Sequence, residues 1–417
     1  MEFIQFFNRA VSVIFALCYA YQLFYAFVPF FVKEKPAKKE KLHRYAVLIC
    51  ARNEEAVIAH LIDSIRRQTY PSSFITVFVV ADNCTDNTAA VARSAGAVVY
   101  TRTNRALVGK GWAMEYLLEN IDRDWGKGSF DGYFVFDADN LLRENYITEM
   151  NKTFSSGYDI VTSFRNSKNY GDNRLSAGCG LWFMRESFFL NQSRHLLGLS
   201  CHVSGTGYMF SDSVYRHRGG WPFHLLTEGI EFSAWNIEDG RKIGYCRTAE
   251  FFDEQPVTLS QSVKQRMRWA KGNYQVFGRY GRQLVKKAVS EGNLSCADMV
   301  MNLAPAVILT VVSAAVNVTA SAWGILAGLD TLPVSLGIIS TFSSVYIMFF
   351  AMGALTTVTL WRHIHTTAVR KVIYTFTFPL FMMTYIPVSI AALFMNVTWR
   401  PIVHTDGRSL SAVKNGR

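Results

Sequence analysis

Residues 133–140 read YFVFDADN, and this stretch decides the fold. Four apolar residues make a short run suited to a buried strand, and the run stops at once in Asp137, Asp139 and Asn140. Three upstream runs follow the same grammar: YAVLICARN (45–53), TVFVVADN (76–83) and AVVYTR (97–102). Between them lie helical patterns, EEAVIAHLIDSIRRQ (54–68), TDNTAAVARSAG (85–96, closed by Gly96) and GWAMEYLLENI (111–121). Strands alternating with helices predict an α/β domain with a mainly parallel sheet covered on both faces. Ligands of such sheets collect beyond the carboxyl ends of the strands. In this chain those ends are ARNEE, ADNCTDN and DADN, where the carboxylates gather.

The apolar residues are spread unevenly over the 417 positions, a length that allows two or three domains. Residues 10–32 (AVSVIFALCYAYQLFYAFVPFFV) form a charge-free run of 23. As a helix it spans roughly 34 Å, against about 30 Å of bilayer hydrocarbon. It is too long for the apolar core of a signal peptide and reads as a retained anchor. From Met299 to Trp361 the only charge is Asp330, placed for a turn between Gly328 and Pro333. That predicts spans near 301–323 and 334–360, with a third over 372–396, so four in all. The organisation expected is an anchor (10–32), a soluble domain (41–265), amphipathic interfacial helices (266–296), a membrane region (301–396) and a polar tail (397–417). The basic loops KEKPAKKEKLHR (33–44) and RHIHTTAVRK (362–371) favour the cytoplasmic side. The domain is then cytoplasmic in a multi-pass cell-membrane protein, with both termini outside. Three arginines and a lysine after Trp399 oppose that placement of the tail and suit an interfacial fold-back instead.

The net charge of +11 sits at these membrane borders, which points to anionic lipid rather than nucleic acid as the partner. Seven cysteines with no CxxC spacing suit reduced thiols. No Gly-x-Gly-x-x-Gly or Walker sequence is present, which excludes the common dinucleotide and P-loop enzymes.

Several residues carry candidate chemistry. Asp137 and Asp139, two apart at a strand end, face one side and offer the oxygen ligands of Mg²⁺ or Mn²⁺; the plain alternative is a solvated acidic turn. Asp82 is placed to accept the imide N–H of a pyrimidine, or to cap the next helix, a task Thr85 or Asp86 could perform. Lys110, between glycines at a strand-to-helix junction, suits a phosphate or a flexible surface loop. In VKQRMRWAKGNYQVF, Gln265, Arg268 and Trp269 share one helix face. A guanidinium there fits a diphosphate and an indole a sugar ring. An amphipathic helix on a membrane surface is the competing reading.

Taken together, ARNEE, VVADNCTDNT, GKG, FDADN, SGTGYMF, LTEGIEF and QRMRW resemble the membrane-embedded branch of family-2 glycosyltransferases. That branch includes cellulose, chitin, hyaluronan and poly-N-acetylglucosamine synthases, and the likeness covers about residues 44–290. It implies a GT-A fold and inverting transfer of a sugar from a nucleotide donor, usually UDP-linked, with Mg²⁺ or Mn²⁺. Glu54 and Asp82 would hold the nucleoside, and Lys110 and Gln265 would lie at the donor. Asp137 and Asp139 would bind the metal and diphosphate, Arg268 would contact the diphosphate, and Gly205, Thr206 and Trp269 would line the acceptor pocket. The acceptor implied is a growing polysaccharide, with a lipid acceptor as the rival. Membrane lipids, a homo-oligomer or a secretion partner would complete the assembly.

The chain departs from this pattern at one point. Relatives end Thr/Ser-Glu-Asp or Gly-Asp-Asp in an aspartate base, whereas here Thr227 and Glu228 precede Gly229. Three readings follow: Glu228 or Glu231 is the base, the enzyme is slow, or the chain is a non-catalytic partner. A transporter with a sensing domain is disfavoured by spans without intramembrane charge or inverted repeats.

Overall fold

The computed structural model describes residues 2–34, 40–328, 332–402 and 404–415; Asp330 and residues 35–39 of the basic loop lie outside them. The chain opens with α1 (Glu2–Phe31). The four predicted strands follow as β1 (Tyr45–Ala51), β2 (Ile75–Asp82), β3 (Val98–Arg102) and β4 (Gly132–Asp137). All four are parallel, and β1 lies between β2 and β4. Helices α2 (Ile58–Arg66), α3 (Thr88–Ser94) and α4 (Lys110–Trp125) connect them. Alternate residues of β1 enter different cores: Ala46 and Leu48 pack on one face of the sheet, Val47 and Ile49 on the other. A strand buried on both sides has no use for polar alternation, which is why these runs read as continuously apolar.

The second half of the domain turns the sheet antiparallel. β5 (Leu141–Leu142), β6 (Ile160–Ser167), β7 (Tyr208–Ser211) and β8 (Ile243–Asp253) extend it in the order β3-β2-β1-β4-β7-β6-β8-β5. β7 pairs antiparallel with both β4 and β6, β8 runs parallel to β6, and β5 closes the edge antiparallel to β8. The helices of this half are α5 (Tyr146–Ser155), α6 (Arg174–Arg185), α7 (Gln192–Leu196), α8 (Asp212–His217) and α9 (Glu228–Glu238), with a π-helical turn, Glu186–Asn191, joining α6 to α7. The expected helix carrying Gln265 becomes α10 (Leu259–Ser290). It starts at a capping box in which the Gln261 N–H donates to the Thr258 hydroxyl (3.2 Å) and the Thr258 N–H donates back to Gln261 Oε1 (3.3 Å).

Beyond α11 (Leu294–Leu303) come α12 (Pro305–Leu326) and α13 (Leu332–Thr359), then α14 (Ala368–Met383), α15 (Tyr385–Phe394) and a short α16 (Leu410–Lys414). Among the described residues, three helical stretches are long and apolar enough to cross a membrane: Phe6–Phe31, Ile339–Thr359 and Ala368–Phe394. α1 is clasped to α12 by a reciprocal amide pair, Asn8 to Asn317 (2.9 Å) and back (2.8 Å). The base of this bundle is tied to the domain by a fully buried ion pair between Arg194 of α7 and Asp298 of α11.

The stretch expected as the third C-terminal span, 372–396, falls within Ala368–Phe394, is interrupted at Thr384 and packs on the domain. Arg370 near its start donates to the Gly171 carbonyl (3.1 Å), and Tyr274 and Lys271 of α10 donate to the carbonyls of Ser389 (2.8 Å) and Leu393 (3.4 Å) near its end. At the break the Arg266 guanidinium sits 4.8 Å from the ring centres of both Phe381 and Tyr385 and donates to the Thr384 hydroxyl. The tail packs back onto the soluble domain, the fold-back being one of the two placements expected. Arg408 forks onto Asp172 (2.8 and 3.0 Å), and Val413 packs on Leu141 and Phe252. The sequence left its docking site open because these partners lie hundreds of residues away and leave no periodic signal.

Candidate functional site

The carboxyl ends of β1, β2 and β4 form the floor of the site. Asn53 and Asn83, just past β1 and β2, adopt left-handed backbone (φ 58° and 52°), a conformation asparagine tolerates better than most residues. Each is held by its own amide: Asn53 Oδ1 accepts from the Thr85 N–H (2.8 Å), and Asn83 Oδ1 from the Asn104 N–H (3.0 Å). These turns set Glu54 and Asp82 at the strand ends. Asp82 is buried and paired with Arg102 (2.6 Å), and the helix after it is served by Asp86, whose carboxylate accepts from the Thr88 N–H (3.1 Å). The capping reading of Asp82 is thereby removed.

Asp137 ends β4 and meets the Lys110 ammonium. Lys110, the first residue of α4, also donates to the Gly205 carbonyl (2.7 Å) and lies 4.0 Å from Glu228. Thr206 accepts from the Asp137 N–H (2.9 Å) and donates to Asn140. The segment 204–207 is therefore bonded to both α4 and the acidic strand end.

Asp139 is buried and accepts from the Glu254 N–H (2.8 Å). Carboxylate oxygens of Asp137, Asp139 and Asp253 approach within 4.8 Å of one another. Asp253, at the end of β8, was not singled out from the sequence. Its signal is the same apolar-strand-then-acid grammar, AEFFD. Arg165 of β6 donates to Asp253 through Nε (3.1 Å), stacks 3.5 Å from the centre of the Phe183 ring, and also was missed. Burial, and then the Asp253 charge, hold the Asp139 carboxyl well above the usual carboxylate range. Burial pushes the Asp137 carboxyl up, but the Lys110 ammonium, with Arg165 and His404, together hold it below that range. An all-oxygen set with one carboxylate crowded by another fits a divalent cation, which Asp137 and Asp139 would hold.

Glu228 opens α9 and is largely buried beside Lys110. Burial raises its carboxyl, Lys110 opposes, and Asp137 adds to the rise. Arg268 of α10 is in turn lowered by burial and held up by the charges of Glu228 and Asp137. Gln265, one turn earlier, keeps a buried Oε1 with no partner among the described residues. Trp269 packs edge-on against Phe183 (5.6 Å). Arg268 thus lies near the acids, while Gln265 borders His404 of the tail and Trp269 packs on the domain, so this is not a bare membrane-surface helix.

Glu231 lies apart from this cluster. It is fully buried, accepts from Arg279 (3.0 Å), Tyr280 (3.2 Å) and the Leu225 N–H (2.9 Å), and pins the loop before α9 to α10. Gly229 is explained by space. A Cβ there would lie 2.6 Å from both the N and the Cα of Gly205, itself in left-handed backbone (φ 87°). The two glycines let α9 touch the 204–207 segment, and that contact sets where Glu228 projects.

The tail supplies what the sequence hid completely. His404 Nδ1 lies 2.9 Å from Glu54 Oε1, and Lys168 donates to the Asp406 carbonyl over Asp139. Burial pulls the His404 imidazole down, but Asp139, Glu54 and Glu254 overcome it and push it up to about 10. It is an imidazolium at neutral pH, a cation lying among the donor-side acids.

A curled mixed sheet with acids at the parallel strand ends and a basic helix wall opposite is the GT-A arrangement, the fold of nucleotide-sugar transferases. Residues 43–272 match the model described as "Glycosyltransferase like family 2", so the chain belongs to that family. It is 26% identical over 275 residues to the beta-monoglucosyldiacylglycerol synthase of Nostoc sp. (61% of this chain, 54% of the relative). It is 22% identical over 260 residues to the poly-beta-1,6-N-acetyl-D-glucosamine synthase of Staphylococcus epidermidis (60% of this chain, 61% of the relative). The chain thus spans little more than half the length of these relatives. Among solved structures, a mannosyltransferase from Pyrobaculum calidifontis in complex with GDP-Man and Mn²⁺ superposes with a TM-score of 0.58 at 16% identity, covering 91% of this chain and 96% of that one.

Proposed function

We propose that this protein transfers a hexosyl unit, with inversion, from a nucleotide-diphosphate sugar, UDP-linked by family likeness, to a hydroxyl acceptor presented at the cytoplasmic membrane face. The observation that carries the reading is the meeting of Asp137, Lys110, Glu228 and Arg268 around the Gly205–Thr206 turn. Glu54 and Asp82 at the strand ends hold the nucleoside, while Asp137 and Asp139 hold a divalent cation, Mn²⁺ or Mg²⁺. That cation, when bound, neutralises charge growing on the leaving diphosphate. Arg268 lies across from the acids and stabilises the same charge from the protein side. Gln265 offers its free carbonyl toward the donor, and Trp269 lines the acceptor side. Glu228 takes the acceptor proton: burial raises its carboxyl and with it the basicity of the carboxylate. Glu231 is spent on Arg279 and Tyr280, so it positions the loop before α9 and is not the base. Gly229 then marks a shifted base, not a lost one.

The acceptor of first choice is a growing glycan, in keeping with the Gln265-Arg268-Trp269 wall and the poly-N-acetylglucosamine synthase relative. A single transfer onto a glycerolipid is the second reading. It is favoured by the glucosyldiacylglycerol synthase relative and by the tight seal of α14 on α6, where a Cβ at Gly178 would lie 2.5 Å from Phe381. Membranes containing the protein are to be incubated with a panel of labelled nucleotide sugars. A ladder of products supports the glycan, a single extractable glycolipid supports the second reading, and no transfer from any donor refutes both.

A further inference from the structure

At the junction of α13 and α14 lies a cavity of about 400 Å³ that the transfer reaction does not use. Its lining comes from three separate elements: the connecting loop (Trp361, Arg362, His365), α14 (Lys371) and the tail helix (Lys414). Lys371 donates to the Trp361 carbonyl (2.6 Å) and stands 4.6 Å over the Trp361 ring, which fixes its ammonium on the cavity wall. Thr367 caps α14 at the same mouth, so the positive end of a 16-residue helix adds to the cations. His365 lines the cavity with a buried Nε2 that has no hydrogen-bond partner among the described residues. Among the described residues, the one carboxylate paired with these cations is Glu144, 3.4 Å from Lys414 and more than half exposed.

We propose that this cavity binds a phosphate group, with an anionic phospholipid headgroup as its source. Three cations, a helix N-terminus and an unsatisfied ring nitrogen match the charge and the acceptor oxygens of a phosphodiester. The location matches as well, since Trp361 follows directly on the apolar stretch ending at Thr359, where aromatic and basic side chains meet headgroups. The volume falls within the roughly 300–1,000 Å³ of ordinary small-molecule sites. Because Lys414 belongs to the tail, a bound phosphate would also fasten α16 to the membrane loop, and through residues 404–406 to the acidic floor.

The test uses the full-length protein in neutral detergent, titrated with phosphatidylglycerol or phosphatidylcholine. Binding is read by native mass spectrometry, and protection of residues 404–415 by hydrogen exchange. Phosphatidylglycerol is expected to bind and to slow exchange in the tail, and phosphatidylcholine to do neither. Arg362→Gln and Lys414→Gln should each weaken binding by roughly fivefold, the weight of one basic side chain near an anionic surface. Arg282→Gln, an equal charge change on the exposed side of α10, should leave it unaltered. Competition by inorganic phosphate without lipid discrimination would keep the phosphate chemistry and reassign its source to a soluble anion. Binding of phosphatidylglycerol that survives the Arg362/Lys414 double variant, or falls equally in Arg282→Gln, overturns the proposal.

Discussion

Replacing Gly229 by aspartate tests whether the base has moved or vanished. Sequence likeness alone predicts that Gly229→Asp restores a missing group and raises activity. The structure predicts the opposite. A Cβ at this position lies 2.6 Å from the Gly205 backbone, so that backbone must recede by roughly 0.9 Å to reach an ordinary carbon contact of about 3.5 Å. Overpacking of this kind costs about 1–3 kcal/mol. The recoil falls on the segment whose carbonyl receives Lys110 and whose neighbour Thr206 holds Asp137. A displacement near 1 Å in a positioning element lowers turnover by on the order of 10²-fold. Gly229→Ala, which adds the Cβ without a carboxylate, should lose nearly as much as Gly229→Asp. Glu228→Gln should lose roughly 10²–10⁴ while keeping its fold and donor affinity. The assay is nucleotide release from labelled donor, paired with thermal unfolding and calorimetric donor binding. Gly229→Asp turning over faster than wild type without loss of stability would refute both the close-approach argument and the assignment of Glu228.

Asp139→Asn should abolish the gain in nucleotide-diphosphate affinity conferred by Mn²⁺, and chelation of metal should do the same to wild type; calorimetry with and without the ion checks both. His404→Gln removes a competing cation from between Glu54 and Asp139, so Mn²⁺ affinity should rise by roughly tenfold or more, the reach of one charge-assisted hydrogen bond. His202 is buried with both ring nitrogens unpartnered, and burial pushes it from 6.5 down to about 3. The unfolded chain then takes up this proton before the folded one does, so stability is lost as pH falls below 6.5, by about 2 kcal/mol at pH 5. His202→Leu should flatten that part of the acid limb in thermal unfolding measured from pH 7 to 5.

The first half of the domain was legible because doubly buried strands advertise themselves: β1, β2 and β4 are apolar runs that break into Glu54, Asp82 and Asp137 at their carboxyl ends. The second half was not. β7 has four residues and β5 two, while β6 carries Arg165, Asn166 and Ser167 inside the core and so reads as polar. Their polarity is tolerated because each finds a partner, as Arg165 does in Asp253 and Asn166 in Glu250 (2.7 Å). The helix face of Gln265, Arg268 and Trp269 could be read from spacing, but only the structure brought the charges of Arg268 and Glu228 together. Gly229 appeared as a defect because a sequence records the missing carboxylate and not the backbone pressed against it. His404 left no mark at all, since its contact with Glu54 spans 350 positions.

The buried pair of Arg194 and Asp298 has a practical consequence for anyone dissecting this molecule. A catalytic fragment cut at residue 265, or even at the end of α10, would discard Asp298 and strand a guanidinium in the interior, a loss of about 3–5 kcal/mol. The smallest unit able to stand alone therefore has to reach Leu303, the last residue of the helix that carries the partner charge. A piece that lacks Asp298 would be weakened by that amount, so its silence in an assay would report on folding as much as on the chemistry.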